Sequence, residues 1–261
     1  MFKPMFWAAL VFAAATHPAL ADQWSKTFNV GATPELRVET SDANVTIRAG
    51  GGSAIDARVV TSGWAIGPGE VHVIDHQSGD LVEIEVKVPT LHFNLGNRWV
   101  KIELQVPSQT KAKIHTGDGN IRADSLRGPT RLDTHDGNIE GEDFDGALEA
   151  SSGDGNIRVR GKFAGLNLRS GDGNIDAEVR PGSRMTSSWT VHTGDGRVTL
   201  RLPEGFAADV EAHTGDGHIS VDLPLTTTGA IHENEVSGKL NGGGQTLTIH
   251  TGDGSIHVER L

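Results

Sequence analysis

Along Ile157-Arg158-Val159 every second side chain is apolar, and the same parity recurs at Leu166-Asn167-Leu168. Strict alternation places apolar residues on one face of a strand and polar ones on the other. Between such strands a short run keeps returning. It reads Thr116-Gly-Asp118-Gly-Asn120-Ile121, and it recurs around Asp136, Asp154, Asp172, Asp195, Asp216 and Asp253. The first four turns are spaced 18, 18 and 18 residues apart, and the next gaps are 23, 21 and 37. One turn repeated at a near-fixed interval predicts a stack of coils. The gap of 23 holds an insertion near Pro181-Gly-Ser-Arg-Met185. The gap of 37 is read as two periods, with a degenerate coil around His232 to Val236.

Each period reads turn, strand, loop, strand, with the loop from Gly161 to Gly165 in the coil that contains Asp154. Ile121, Ile139, Ile157, Ile175, Val198, Ile219 and Ile256 then form one inward column. Thr116, Thr134, Ser152, Ser170, Thr193, Thr214 and Thr251 form a second, whose hydroxyls can bond neighbouring backbone. Outward, Arg122, Glu140, Arg158 and Asp176 alternate in sign. Opposite charges on direct neighbours contribute roughly 0.2–1 kcal/mol per pair. That favours a parallel solenoid, with equivalent residues ~4.8 Å apart, over an antiparallel meander at twice the spacing. Asn120, Asn138, Asn156 and Asn174 point the same way, because Asn ladders form by direct stacking. The predicted fold is a right-handed parallel β-solenoid with coils of about 18 residues and Gly-Asp-Gly corners. In those corners Asp and Asn are expected to bond their own backbone, and Gly to supply positive φ.

The earlier stretch differs. Val82 to Val88 and Val100 to Val106 alternate strongly, with Asn94-Leu-Gly96-Asn97 as a turn between them and Gly50-Gly51-Gly52 as another connection. Thr40-Ser-Asp42-Ala-Asn44-Val45 aligns with the repeat. Residues 22–110 are thus read as the start and cap of the stack, and 111–261 as its repeating body. Residues 1–21 read as an export signal, with Lys3, an apolar run from Met5 to Ala15 and Ala19-Leu20-Ala21. Cleavage is expected between Ala21 and Asp22, leaving a periplasmic or extracellular protein that does not insert in the membrane. The apolar run is too short to span a bilayer.

Cysteine is absent, which excludes disulfides and thiolate metal sites. The formal net charge of −11 becomes −12 once Lys3 leaves with the leader. Such a surface repels nucleic acid.

The run from Val100 to Pro107 into Lys113-Ile114-His-Thr116-Gly-Asp-Gly-Asn-Ile121, with its recurring Gly-Asp-Gly turns, resembles the bacterial putative-adhesin family of secreted β-strand-repeat proteins. That resemblance covers essentially the whole mature chain. It implies a right-handed β-solenoid, an exported location, no established enzymatic activity and no catalytic residues.

Candidate chemistry is sparse. The turn aspartates would form a carboxylate row, yet Ca²⁺ needs 6–8 oxygen ligands and each coil offers one carboxylate. His192, His213 and His250 precede three of the turns and face outward, with His232 between the last two. With Asp195, Asp216 and Asp253 they are the candidate ligands for zinc or calcium. Against that stands the plain reading of solvated turns and surface histidines. No Gly-x-Ser-x-Gly, phosphate loop or His-Glu-x-x-His occurs. Parallel β-helices can host polysaccharide-cleaving enzymes, but an active site breaks repeat symmetry and these acids are spread evenly. The expected function is an exported, non-catalytic scaffold, a putative adhesin that meets a protein or glycan partner at the cell envelope and carries no cofactor. A divalent-metal-binding repeat protein is the alternative, and a polysaccharide-processing enzyme the second. Trp64 and Trp99, in the irregular half, are candidates either for a binding loop or for core filling.

Overall fold

The structure, a computed structural model, describes residues 21–89, 98–227 and 232–261. The expected export leader, up to residue 20, and the turn expected at Asn94 to Asn97 lie outside the described residues. The described chain is all β. The N-terminal part contains β1 (Gln23–Asn29), β2 (Glu35–Thr40), β3 (Asn44–Gly50), β4 (Ala54–Ser62), β5 (His72–Ser78), β6 (Leu81–Lys87) and β7 (Trp99–Pro107). The repeats contribute β8 (Lys111–Thr116), β9 (Ile121–Asp124), β10 (Thr130–Thr134), β11 (Ile139–Ser152), β12 (Ile157–Ser170), β13 (Ile175–Val179), β14 (Trp189–Thr193) and β15 (Val198–Leu202). The C-terminal part adds β16 (Ala208–Thr214), β17 (Ile219–Val221), β18 (Leu225–Thr227), β19 (Glu235–Leu240), β20 (Thr246–Thr251) and β21 (Ile256–Arg260). The expected loop at Gly161 to Gly165 is continuous strand within β12. The expected insertion at Pro181 to Met185 does form a loop, between β13 and β14.

The strands pair into two ladders. One runs β5-β6-β2-β8-β10-β11-β12-β14-β20-β16-β19-β18, and the other β1-β4-β7-β3-β9-β11-β12-β13-β15-β21-β17. The long strands β11 and β12 belong to both. Through the body the pairing is parallel, and Ile139 pairs with Ile121 on one side and Ile157 on the other. Residues 18 apart are therefore direct neighbours, as the charge and asparagine columns required.

The inward columns meet between the ladders. Ile121, Ile139, Ile157, Ile175, Val198 and Ile256 are buried against Ile114, Leu132, Leu168, Val191 and Ile249. The side away from the Gly-Asp-Gly turns is filled by Phe144, Phe163, Trp189 and Phe206. Their ring centroids follow one another at 6.3, 6.4 and 5.3 Å. These large rings add to a core built mostly of Ile, Val and Leu, in a chain with only 36% hydrophobic residues.

Coil order departs from chain order at both ends. β20 lies between β14 and β16, and β21 between β15 and β17. The last coil is threaded between two coils that precede it. Likewise β2 lies between β6 and β8, and β3 between β7 and β9. Consequently β6 and β7, read from sequence as flanking one turn, sit in different ladders and do not pair.

Antiparallel strands close each end. At one end β5 pairs with β6, and β1 with β4, which pairs with β7. Lys26 and Asp75 tie the two outermost strands together, and the Gln77 side chain donates to the Asn29 carbonyl at 2.7 Å. At the other end β19 pairs antiparallel with β16, and β18 with β19. The degenerate coil expected at His232 to Val236 is thus a correction. His232 only bridges Glu235, and the residues that follow run antiparallel as a cap. Capping of this kind protects an open parallel edge from self-association.

Candidate functional site

The repeated turn is where the chain concentrates its polar chemistry. Its foundation is the buried hydroxyl column. Ser152 Oγ donates to the Gly137 carbonyl of the neighbouring coil at 2.8 Å and accepts the Gly155 N–H at 2.9 Å. Thr134 and Ser170 repeat both contacts one coil away on either side. Each hydroxyl thereby satisfies a backbone donor and acceptor where the strand ladder is interrupted, which burial would otherwise make costly.

The glycines serve a different purpose from the one expected. None of the Gly-Asp-Gly glycines has a positive φ. What they provide is room. A Cβ on Gly155 would collide with the Gly137 carbonyl oxygen, and one on Gly137 with that of Gly119. The coils approach so closely at this corner that no side chain fits between them. The expected Asx bonding is also corrected. The carboxylates of Asp118, Asp154, Asp172, Asp195, Asp216 and Asp253 are exposed and meet no donor among the described residues. Asp136 lies 3.6 Å from His135 Nε2. The side-chain acceptor at the turn is asparagine, and it bonds across coils and not to its own backbone. Each Asn Oδ1 accepts both the backbone N–H and the side-chain Nδ2–H of the next Asn, from Asn44 through Asn120, Asn138 and Asn156 to Asn174.

The arrangement thus presents a row of solvated carboxylates, in coil order Asp42, Asp118, Asp136, Asp154, Asp172, Asp195, Asp253, Asp216. Beside its far end the structure brings together three of the candidate histidines. His192 and His250 stack with centroids 5.0 Å apart and planes 4° from parallel. His250 and His213 stack at 5.3 Å and 10°. His232 is not among them. Imidazole lone pairs lie in the ring plane, so parallel stacked rings do not converge on a common ion at bond lengths near 2 Å. No group of three or more His, Asp or Glu is placed to hold a metal among the described residues. The stack was hard to read from sequence because His250 reaches His192 and His213 only through the threaded coil.

Elsewhere the outer faces are laced with ion pairs between neighbouring coils, including Arg122 to Glu140 at 2.7 Å, Arg131 to Glu149 at 2.8 Å and Arg201 to Asp176 at 2.7 Å. An open groove of about 580 Å³ runs past Arg37, Ile74, His76, Glu83 and His115 on the outer face near β5. Trp64 is buried with the Arg98 guanidinium 4.5 Å from its ring, whereas Trp99 is 45% exposed. Trp64 is therefore core, and Trp99 is the aromatic that remains available to a ligand. No helix among the described residues is long and apolar enough to cross a membrane.

The profile of the Toastrack family, DUF4097, matches residues 69–259. This chain belongs to the Toastrack DUF4097 family. The family resemblance read from the repeats stands, and the family is a domain of unknown function. Among solved structures, the Toastrack chain is similar to a putative cell adhesion protein from Clostridium sporogenes ATCC 15579, at 14% identity and TM-score 0.44, over 92% of this chain and 100% of that one. It is similar to a putative adhesin from Bacteroides fragilis NCTC 9343 at 13% identity and TM-score 0.46, over 92% and 97%. It is also similar to a putative lipid binding protein from Parabacteroides distasonis ATCC 8503 at 11% identity and TM-score 0.41, over 93% and 98%. No curated protein matches it.

Proposed function

We propose that this Toastrack protein is an exported, non-catalytic β-solenoid that acts as an adhesin-type interaction scaffold at the cell envelope. Its coils turn in the right-handed sense, with about 18 residues each and Gly-Asp-Gly corners. The observation that carries this reading is the distribution of chemistry. Carboxylates, asparagines and ion pairs recur coil after coil along the outer columns instead of gathering in one cleft. Catalysis needs a local constellation of nucleophile, base and charge stabiliser. A repeating face suits binding to an extended or multivalent partner, because many equivalent weak contacts add along its length. The envelope partner is a protein or a glycan, and Trp99 offers a sugar an exposed aromatic platform.

Support for export comes from the first strand. β1 begins at Gln23, directly after the expected cleavage point, and Asp22 is already held there. Its carboxylate accepts the Ile66 N–H at 2.9 Å and the Gln23 N–H at 2.8 Å. Those backbone bonds hold its pKa below the usual carboxylate value. A mature chain starting at Asp22 would carry its terminus docked.

The test is fractionation of the producing bacterium, N-terminal sequencing, and photo-crosslinking from Trp99. The expected result is a protein that starts at Asp22 in the envelope or medium, with a discrete crosslinked partner. A cytoplasmic protein that retains Met1 contradicts the reading. So does cleavage of acidic polysaccharides by the purified chain.

A further inference from the structure

We propose that the C-terminal coil, residues 246–261, is an acid-released strap, held between two earlier coils at a junction where the rings of His192, His250 and His213 stack, and loosened when acid places like charges in that stack. The topology supplies the strap. β20 and β21 fill a one-coil gap between β14-β15 and β16-β17, and each edge of the inserted coil is hydrogen-bonded to residues that come earlier in the chain. The histidines supply the trigger. One imidazole stands on each of the three strands that form this junction, and His250, on the inserted strand, has a ring on either side at 5.0 and 5.3 Å.

Neutral rings stack without penalty, whereas imidazolium ions at that distance repel one another. The surroundings decide which state folding favours. Beyond His192 the next residue in the column is Arg169 on β12, and beyond His213 it is Glu235 on β19. Glu211 lies two residues before His213, while Thr190 and Thr248 on the adjoining strands are uncharged. Asp195, Asp253 and Asp216 stand at the corner and are solvated. His218 and His257 lie past the corner. The carboxylates are biased toward the His213 end, and the cation sits at the His192 end. Burial, then His250, then Arg169 push the His192 pKa below its ordinary value of 6.5.

The sign follows. A histidine whose folded pKa is depressed binds fewer protons folded than unfolded. Its contribution is present above the unfolded value near 6.5 and is lost as pH falls below it. The loss falls on the bonds of the inserted coil. His115 provides an internal contrast, since its direct column neighbours are Glu39 and Asp133 and no second imidazole stacks on it.

The experiment is hydrogen exchange on the full mature chain at pH 7.5 and 5.5, with rates corrected for intrinsic exchange. The proposal expects amide protection in residues 246–260 to fall at least ~10-fold at pH 5.5, while protection in residues 139–179 is unchanged. It expects His250→Gln to abolish the difference. His192→Gln gives the same readout should His250→Gln fold poorly, and His115→Gln should leave the difference intact. Equal protection of the last coil at both pH values overturns the proposal. A loss spread evenly over the stack, or one that persists in the glutamine variants, also overturns it.

Discussion

Asn156 donates its side-chain Nδ2–H to Asn138 Oδ1 at 3.1 Å, and the same oxygen accepts the Asn156 backbone N–H at 2.9 Å. One side-chain oxygen thus joins two coils twice. Asn156 Oδ1 does the same for Asn174. Asn156→Ala removes the Nδ2–H bond to Asn138 and both bonds that Asn156 Oδ1 accepts from Asn174, and leaves only the backbone N–H bond to Asn138. Because these bonds are exposed to water, the expected cost is about 1–2 kcal/mol, read as a lower denaturant midpoint with an unchanged slope. No shift in midpoint would show that the ladder is only decorative.

The corner glycine and the corner aspartate should differ sharply in their tolerance of substitution. Gly155→Ala places a methyl against the Gly137 carbonyl and the Ser152 hydroxyl, neither of which can retreat without breaking the corner. Overpacking against backbone predicts a loss of at least ~3 kcal/mol. Asp154→Asn removes a solvated charge with no donor and should stay within about 0.5 kcal/mol of wild type. Thermal melts of the two variants check the ranking, and the reverse order would refute the close-approach explanation.

Ser152 accepts one buried N–H and donates to one carbonyl. Ser152→Ala strands both and should cost about 1–3 kcal/mol, whereas Ser152→Thr should be mild because Thr134 already fills the equivalent place. Urea titration of both variants distinguishes a bonding role from simple space-filling. Equal losses would favour the latter.

Divalent ions should not matter for stability. Each coil contributes one exposed corner carboxylate, and the stacked rings offer no shared ligand position. We expect the Tm to move by less than about 1 °C on adding millimolar Ca²⁺ or a chelator, and micromolar Zn²⁺ to give no binding heat. A rise of several degrees with either metal would restore the metal-binding alternative.

Much of the body was legible because its coils are nearly identical. Ile121, Ile139 and Ile157 share a position, and alternating charges at Arg122, Glu140 and Arg158 make sense only for direct neighbours. That same uniformity hid the coil order. Any two turns can stack, so the spacing between Asp216 and Asp253 does not reveal that the later coil slips in ahead of the earlier one. The degenerate coil expected at His232 to Val236 is instead a cap, hidden for a related reason. A strand that caps a parallel edge in the antiparallel sense carries the same alternation as one that continues it. At the corner, composition pointed to the right residues for a different reason. Gly was expected to supply φ, yet it supplies clearance, a property of two coils that one coil's sequence cannot display. The histidine stack depended on the hidden order and became visible only with it.

The central claim is that equivalent residues of successive coils lie directly over one another, with the last coil threaded between its predecessors. Paired cysteines test it most directly in a chain that has none of its own. His192→Cys with His250→Cys places two thiols on adjacent coils, ~4.8 Å apart along the ladder and within disulfide reach. His192→Cys with His213→Cys places them two coils apart, at about twice that distance, although they are much closer in sequence. The account predicts rapid crosslinking of the first pair under mild oxidation and none of the second. Crosslinking of 192 with 213 in preference to 250 would contradict it.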